Sequence, residues 1–256
     1  MEPSGRMQYG PRRWPLALAM GLLVAGWCTP ARAQLEEIVV TAQRAEHAGT
    51  PPGASLRRTG DYLLLQVEVT NDTRERDARR NEIHDTLRAA LAAARKDGSI
   101  ELSVVDDQGL VIPLRVDSAT VVLRPGDRPD TARTTISVKT RIPAGEASGQ
   151  ALVSRLRDFV AAIKPVGRTQ LSPDGDVDIS IVNPAQYRDA VIRLFAGDVH
   201  AVTAALGDGY RVVVRGIDGP IRWQRAGMLE LTLYVPYTYD VIPATVTSYT
   251  TFPQGE

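Results

Sequence analysis

The sequence predicts an α+β protein of largely antiparallel sheets with about three amphipathic helices packed on one face. Three observations lead there. Apolar stripes with the helical period recur at 83–94, 152–163 and 187–206. Alternating apolar and polar runs at 62–70 and 132–142 have the strand period of two. The remaining strand-like runs are short, and residues that favour turns separate them, so hairpins can join them.

The chain opens with Arg12 and Arg13, an apolar run from Leu16 to Trp27, and then Ala31-Arg32-Ala33. This order defines a secretory signal peptide over 1–33 with cleavage after Ala33. A span would need about 20 apolar residues, and Pro30 and Arg32 close the run short of that. Trp27 is too large to precede a lipidated Cys28, so the sequence predicts a mature chain from Gln34 with no thiol, no disulfide and no membrane span. Residues 34–60 read as an N-terminal strand and a Pro/Gly-rich linker, 61–242 as the α+β domain, and 243–256 as a flexible tail.

Within the domain, Leu63, Leu65, Val67 and Val69 alternate with Gln66 and Glu68, as in a strand with one wet face. Asp72-Thr73-Arg74-Glu75 has the spacing of a capping box, with Asp72 at the cap. The helix after it carries the stripe Ile83, Leu87, Ala90, Leu91 and Ala94, and Gly98 ends it. Extended segments follow near 100–105, 110–124 and 132–142, the last with Thr135, Ser137 and Lys139 on its polar side. Ser148 caps a second helix, with Leu152, Leu156, Phe159, Val160 and Ile163 as its stripe and Pro165 beyond its end. Ser172-Pro173-Asp174-Gly175 reads as a turn before a strand over Val177–Ile181. Asn183-Pro184, with Gln186, opens a third helix whose stripe is Tyr187, Val191, Phe195, Val199, Val202 and Leu206. Strands near 210–217 and 228–239 close the fold around a loop with Gly219-Pro220 and Trp223.

The whole chain has 30 basic and 30 acidic residues. Loss of the signal removes four arginines and one glutamate, leaving 26 basic and 29 acidic residues. That balance offers no broad attraction to nucleic acid or anionic lipid.

This order of elements resembles the SIMPL domain of exported bacterial proteins. The likeness rests on Glu37-Ile38-Val39-Val40-Thr41-Ala42 as the opening strand and on strand 62–70 with the Ala-rich helix after it. It rests also on the series from Asn183-Pro184 through helix 187–206 to Leu229-Glu230-Leu231-Thr232-Leu233-Tyr234-Val235-Pro236-Tyr237. The resemblance covers most of 36–239. It implies a periplasmic or envelope-associated protein, ring-like self-assembly, links to stress tolerance, and no catalytic residues to carry over. Edge strands at both ends of the fold also favour a homo-oligomer.

The segment Glu36 to Arg44 is also similar to the TonB box at the mature N-terminus of TonB-dependent receptors. That box pairs its backbone with an open sheet edge of the TonB C-terminal domain. Glu37, Ile38, Val39, Val40, Thr41 and Ala42 would make the contact, although the chain is too short for a receptor barrel. The ordinary reading of the same residues is the first strand of the sheet, because alternating β-branched residues are the usual strand signal, and it is the one the sequence favours.

Other chemistry finds little support. His47, His84 and His200 have no second ligand at metal spacing on their own elements. Asp174-Gly175-Asp176-Val177-Asp178 starts like a calcium loop but has Ile179 and Ala185 where glycine and glutamate belong. There is no Gly-x-Ser-x-Gly elbow and no nucleotide-binding glycine loop, and Asp106-Asp107 falls at a turn. The sequence therefore predicts an exported, non-enzymatic protein without metal or cofactor, acting through protein contacts in the periplasm. The alternative is a periplasmic binder of a small apolar or aromatic ligand, with Trp223 and Tyr234 on the pocket rim.

Overall fold

The computed structural model describes residues 36–40, 53–117, 120–145 and 148–247. The chain divides into two units, Met1–Gln34 and Leu35–Glu256, and every described residue belongs to the second. The expected signal at 1–33, Thr41 and Ala42 lie outside the described residues, as do His47 and the tail from 248 onward. In chain order the elements are β1 (Glu37–Val40), β2 (Leu56–Thr59), β3 (Tyr62–Asn71), α1 (Arg76–Asp97), β4 (Ile100–Val105), β5 (Val111–Pro113), β6 (Arg124–Pro125) and β7 (Ala132–Arg141). There follow α2 (Gly149–Ala162), β8 (Gln170–Val182), a 3-10 turn at Pro184–Tyr187, α3 (Arg188–Leu206), β9 (Tyr210–Arg215), β10 (Arg222–Arg225), β11 (Glu230–Tyr234) and β12 (Thr238–Pro243).

The main sheet runs in the order β1-β8-β3-β7-β4-β5, with β6 also on β7. Every pair is antiparallel. The succession β3-α1-β4-β7-α2-β8 is the split β-α-β pattern of ferredoxin-like folds. Leu63, Leu65, Val67 and Val69 of the central strand β3 have no exposed surface, and they share one apolar cluster with Ile83 and Leu87 of α1 and Leu156 and Val160 of α2. Burying each such leucine or valine contributes about 1.5–3 kcal/mol, so this helix-covered face is the principal source of stability. The α+β class is as the sequence predicts.

Several local expectations change. The helix α1 is capped by Glu75, not Asp72: the Glu75 carboxylate accepts from the amides of Asp77 at 3.0 Å and Ala78 at 2.5 Å. Asp72 is instead engaged by the Arg168 guanidinium at 2.6 and 2.9 Å, a bidentate pair worth more to it than an amide. Gly98 ends α1 with φ of 74°, and Ser148 caps α2, both as expected. The expected turn at 172–175 is a bulge inside β8. The register on β3 slips between Leu64, opposite Asp178, and Gln66, opposite Asp174, and Gly175 takes φ of 69° there. Asn183 has φ of 48° and makes no side-chain cap, so the Asn-Pro signal opens a 3-10 turn before the helix proper.

The C-terminal part departs further. Among the described residues two helices, α1 and α2, cover the main sheet, and α3 lies beside β9 and β2. Of its expected stripe only Val191 and Phe195 are buried, and Leu206 is 37% exposed. The linker expected to 60 contains a strand: β2 pairs β11, which pairs β10. Leu231 and Leu233 of β11 join the main apolar cluster. The expected strand at 228–239 is two strands, because the chain breaks after Tyr234 and β12 pairs β9 in a separate two-stranded ladder. Phe195 meets Tyr237 edge-on at 4.5 Å, and the Tyr237 hydroxyl donates to Asp198 at 2.7 Å, tying α3 to this turn. Gly60 is where the chain passes from β2 to β3; a side chain there would collide with Ile179.

A polar hub locks α1 against the β3 and β8 ends. The Glu82 carboxylate accepts from Asn71 Nδ2 at 2.7 Å, Thr73 Oγ1 at 2.8 Å and the Arg168 amide at 2.9 Å. The Arg168 amide, then Asn71 and Thr73, hold the Glu82 carboxyl below the ordinary glutamate value of 4.5. A depressed folded-state value means stability that is present above about pH 4.5 and lost as the pH falls through the lower folded value. Glu82→Gln should therefore flatten the acid limb of the stability curve, measured by urea unfolding between pH 6 and 3, while leaving a lower plateau at pH 7.

Candidate functional site

Alternation along the strands places Tyr62, Leu64, Gln66 and Glu68 of β3 on the face away from the helices, opposite Arg141, Lys139, Ser137 and Thr135 of β7. In a flat sheet this face would be wet. Its middle, at Leu64, Ser137 and Lys139, is buried because the sheet curls until its ends meet. On one edge β1 pairs β8, from Glu37 opposite Val182 to Val40 opposite Ile179. On the other edge the Val39 amide donates to the Gly109 carbonyl at 3.0 Å, and Ile38 bridges Leu110 beside β5. The strand β1 thus closes a small barrel of six strands.

The interior beneath β1 holds a charge cluster. Lys139 Nζ donates to Glu37 Oε2 at 2.5 Å, and Ser180 Oγ donates to Glu37 Oε1 at 2.6 Å. Their side chains are 8% and 10% exposed for Lys139 and Glu37. Three strand spacings separate β1 from β7 along the sheet, about 14 Å if it were flat, so this contact exists only because the sheet is curled. The ammonium also stands 4.1 Å from the Tyr62 ring centroid and 3.4 Å from Glu101 Oε2. Next to it Val39, Leu64 and Val111 form a second apolar cluster. Ser103, opposite Ser137, is fully buried, and its hydroxyl makes no hydrogen bond.

A cleft of about 540 Å³ lies by β4, β5 and β7, with Glu68, Asp106, Asp107, Arg124, Arg133 and Asp174 among its lining. Ligand pockets are mostly apolar with a few polar groups; this cleft is charged. Asp106 is occupied locally, accepting from the amides of Gln108 and Leu110 at the β4–β5 turn, as the sequence suggests.

The residues singled out in the sequence divide sharply. Glu37, Ile38, Val39 and Val40 form β1, with both edges bonded, so strand addition to a foreign sheet would require β1 to leave the barrel. Trp223 and Tyr234 do not form a common rim. Trp223 lies opposite Leu233 and packs toward the core, whereas Tyr234 lies opposite Arg222 on the other face of the ladder. Neither borders the charged cleft. His84 is partly buried, and burial, then Arg88 and Arg80, push its pKa down. Sequence reasoning missed Lys139 because it reads as one more polar residue on a wet face; the available signal was a lysine inside a strand whose other charged residues, Arg133 and Arg141, stand near its ends.

No protein-family model matches the chain, and no curated protein matches it. Among solved structures, it aligns with a hydrolase from Listeria innocua at 10% identity, over 77% of this chain and 97% of that one, with a TM-score of 0.14. It also aligns with an uncharacterized conserved protein from Listeria innocua at 13% identity, over 77% and 98%, with a TM-score of 0.14. A further Listeria innocua hydrolase gives 10%, 77% and 97%, with a TM-score of 0.15. The expectation of a protein without enzymatic activity is corrected by this finding, since two of the three neighbours are hydrolases. At such TM-scores the likeness carries neither fold nor reaction to this chain, so the correction withdraws that expectation and assigns no chemistry in its place.

The buried pair makes a sharp test. Lys139→Met strands the Glu37 carboxylate without its cation and should cost about 3–5 kcal/mol, whereas Glu37→Leu together with Lys139→Met removes both charges and should recover most of that loss. Chemical denaturation of the two variants beside the wild type measures it. Equal losses in the single and double variants would show that the charges are not coupled.

Proposed function

We propose that this chain is an exported periplasmic protein of the SIMPL type that works through protein contacts and assembles with copies of itself. The observation that carries the reading is the ladder of β9 and β12. An isolated two-stranded ladder is marginal in water, and this one has no further strand partner among the described residues. On one of its faces Tyr239 lies opposite Val214, Val241 opposite Val212, and Tyr210 at the end. Tyr210, Tyr239 and Val241 are 47%, 41% and 41% exposed. Leu194 and Leu206 on the neighbouring helix α3 are exposed as well.

Exposed apolar side chains gathered on one face of a ladder in this way mark an interaction site. A second copy brings the same face and two strand edges that have no strand partner among the described residues, so the contact is self-complementary. The signal-like residues 1–33 and the order of strands and helices support the periplasmic, SIMPL-type part of the reading. Among the described residues no helix is long and apolar enough to cross a membrane.

Fractionation with N-terminal sequencing should find a periplasmic form beginning at Gln34. Sedimentation of that form should show concentration-dependent association, and Val241→Glu should weaken it while preserving the far-ultraviolet circular dichroism spectrum. A cytosolic chain with its intact N-terminus overturns the compartment. A wild type that stays monomeric at every concentration overturns the assembly.

A further inference from the structure

We infer that the slot between β8 and β5 is a strand acceptor, and that the β1 it holds is exchangeable between copies of this chain. The slot is completed by main-chain bonds on both sides: Asn183 N–H, just past the end of β8, to the Glu36 carbonyl, and Val39 N–H to the Gly109 carbonyl beside β5. It also reads side chains. Lys139 and Ser180 take a carboxylate at the first position, and Leu64 with Val111 takes an apolar residue two places on. An empty slot would strip the Lys139 ammonium of its nearer carboxylate at 2.5 Å and leave it only the exposed Glu101 at 3.4 Å. The slot therefore stays filled, and any copy of residues 36–40 meets its requirements.

Geometry allows the second copy to supply it. The strand is four residues long and is the first element of its unit. Fifteen residues separate Val40 from Leu56, where the chain re-enters a sheet. Fully extended they reach roughly 50 Å, comparable to the diameter of roughly 45 Å expected for a body of this size. The exchanged strand makes the same contacts as the resident one, so exchange costs little beyond association itself. This site is separate from the β9–β12 face and does not depend on it.

Disulfide trapping tests the inference in the full chain carrying Cys28→Ser, which removes the only native thiol. Ile38 and Leu110 face each other across an antiparallel bridge whose flanking residues carry the hydrogen bonds. Such non-hydrogen-bonded pairs bring Cα atoms within disulfide range. The double variant Ile38→Cys/Leu110→Cys should form an internal disulfide. The two single variants, made with different masses, mixed and oxidised, should form a heterodimer between Cys at 38 and Cys at 110. Adding Glu37→Ala to the Ile38→Cys chain should lower the heterodimer yield by at least about tenfold, the loss of one charge-assisted bond. Adding Val241→Glu should leave it in place. Absence of the heterodimer when the internal disulfide forms overturns the exchange, as does a yield indifferent to Glu37→Ala or abolished by Val241→Glu. Failure of the internal disulfide overturns the slot itself. None of these results alters the sedimentation behaviour expected of the β9–β12 face.

Discussion

A lysine on the middle of a sheet and a glutamate on its far edge strand can meet only if the sheet bends round on itself. The Lys139–Glu37 contact is therefore both a consequence of curvature and a restraint on it. Much else follows. Curling brings together two neighbouring-strand contacts, the Ser180 hydroxyl of β8 on the Glu37 carboxylate and the Tyr62 ring of β3 on the Lys139 ammonium. It also seals Leu64, which shows no exposed surface although it lies on the face without helices. The helix-covered face supplies most of the apolar burial, but it would be compatible with a flat, open sheet. The interior charges select the closed form.

This division of labour is common in small barrels, where shape comes from strand stagger and bulges, and packing comes from one well-filled side. Here the bulge at Gly175 lies on β8, between the strand that closes the barrel and the strand at its centre. Extra residues on one side of a ladder bend that strand and increase its twist. The bulge and the ion pair thus act on the same deformation from opposite ends.

The sequence reveals the parts governed by local periodicity. Strand 62–70, the stripes of the first two helices, Ser148 and Gly98 are all legible because one element and its solvent boundary determine them. Errors arise where a distant partner outbids a local one. Asp72 has the spacing of a cap, yet Arg168, 96 residues away, claims its carboxylate. Pro173-Asp174-Gly175 has turn chemistry, yet β3 holds the chain extended on both sides of it. The third helix carries an apolar stripe that most of its length does not bury. The candidate site was half visible: residues 37–40 stand out as a strand, but nothing in the spacing links Glu37 to a lysine 102 positions away. Trp223 and Tyr234 looked like a pair because both are aromatic and near a loop, while the register sets them on opposite faces.

The crossing at Gly60 has a further consequence. Within two residues the Gly60 amide bonds Leu229 at the start of one sheet and the Asp61 amide bonds Ser180 in the other, while the Asp61 carbonyl receives Ile142. One short stretch of backbone is thus stitched into both sheets at once, with no hinge between them. Fraying of the small sheet cannot stay local, since it pulls on hydrogen bonds of the barrel. The two sheets form one cooperative unit, and their slowest-exchanging amides should share a single opening free energy.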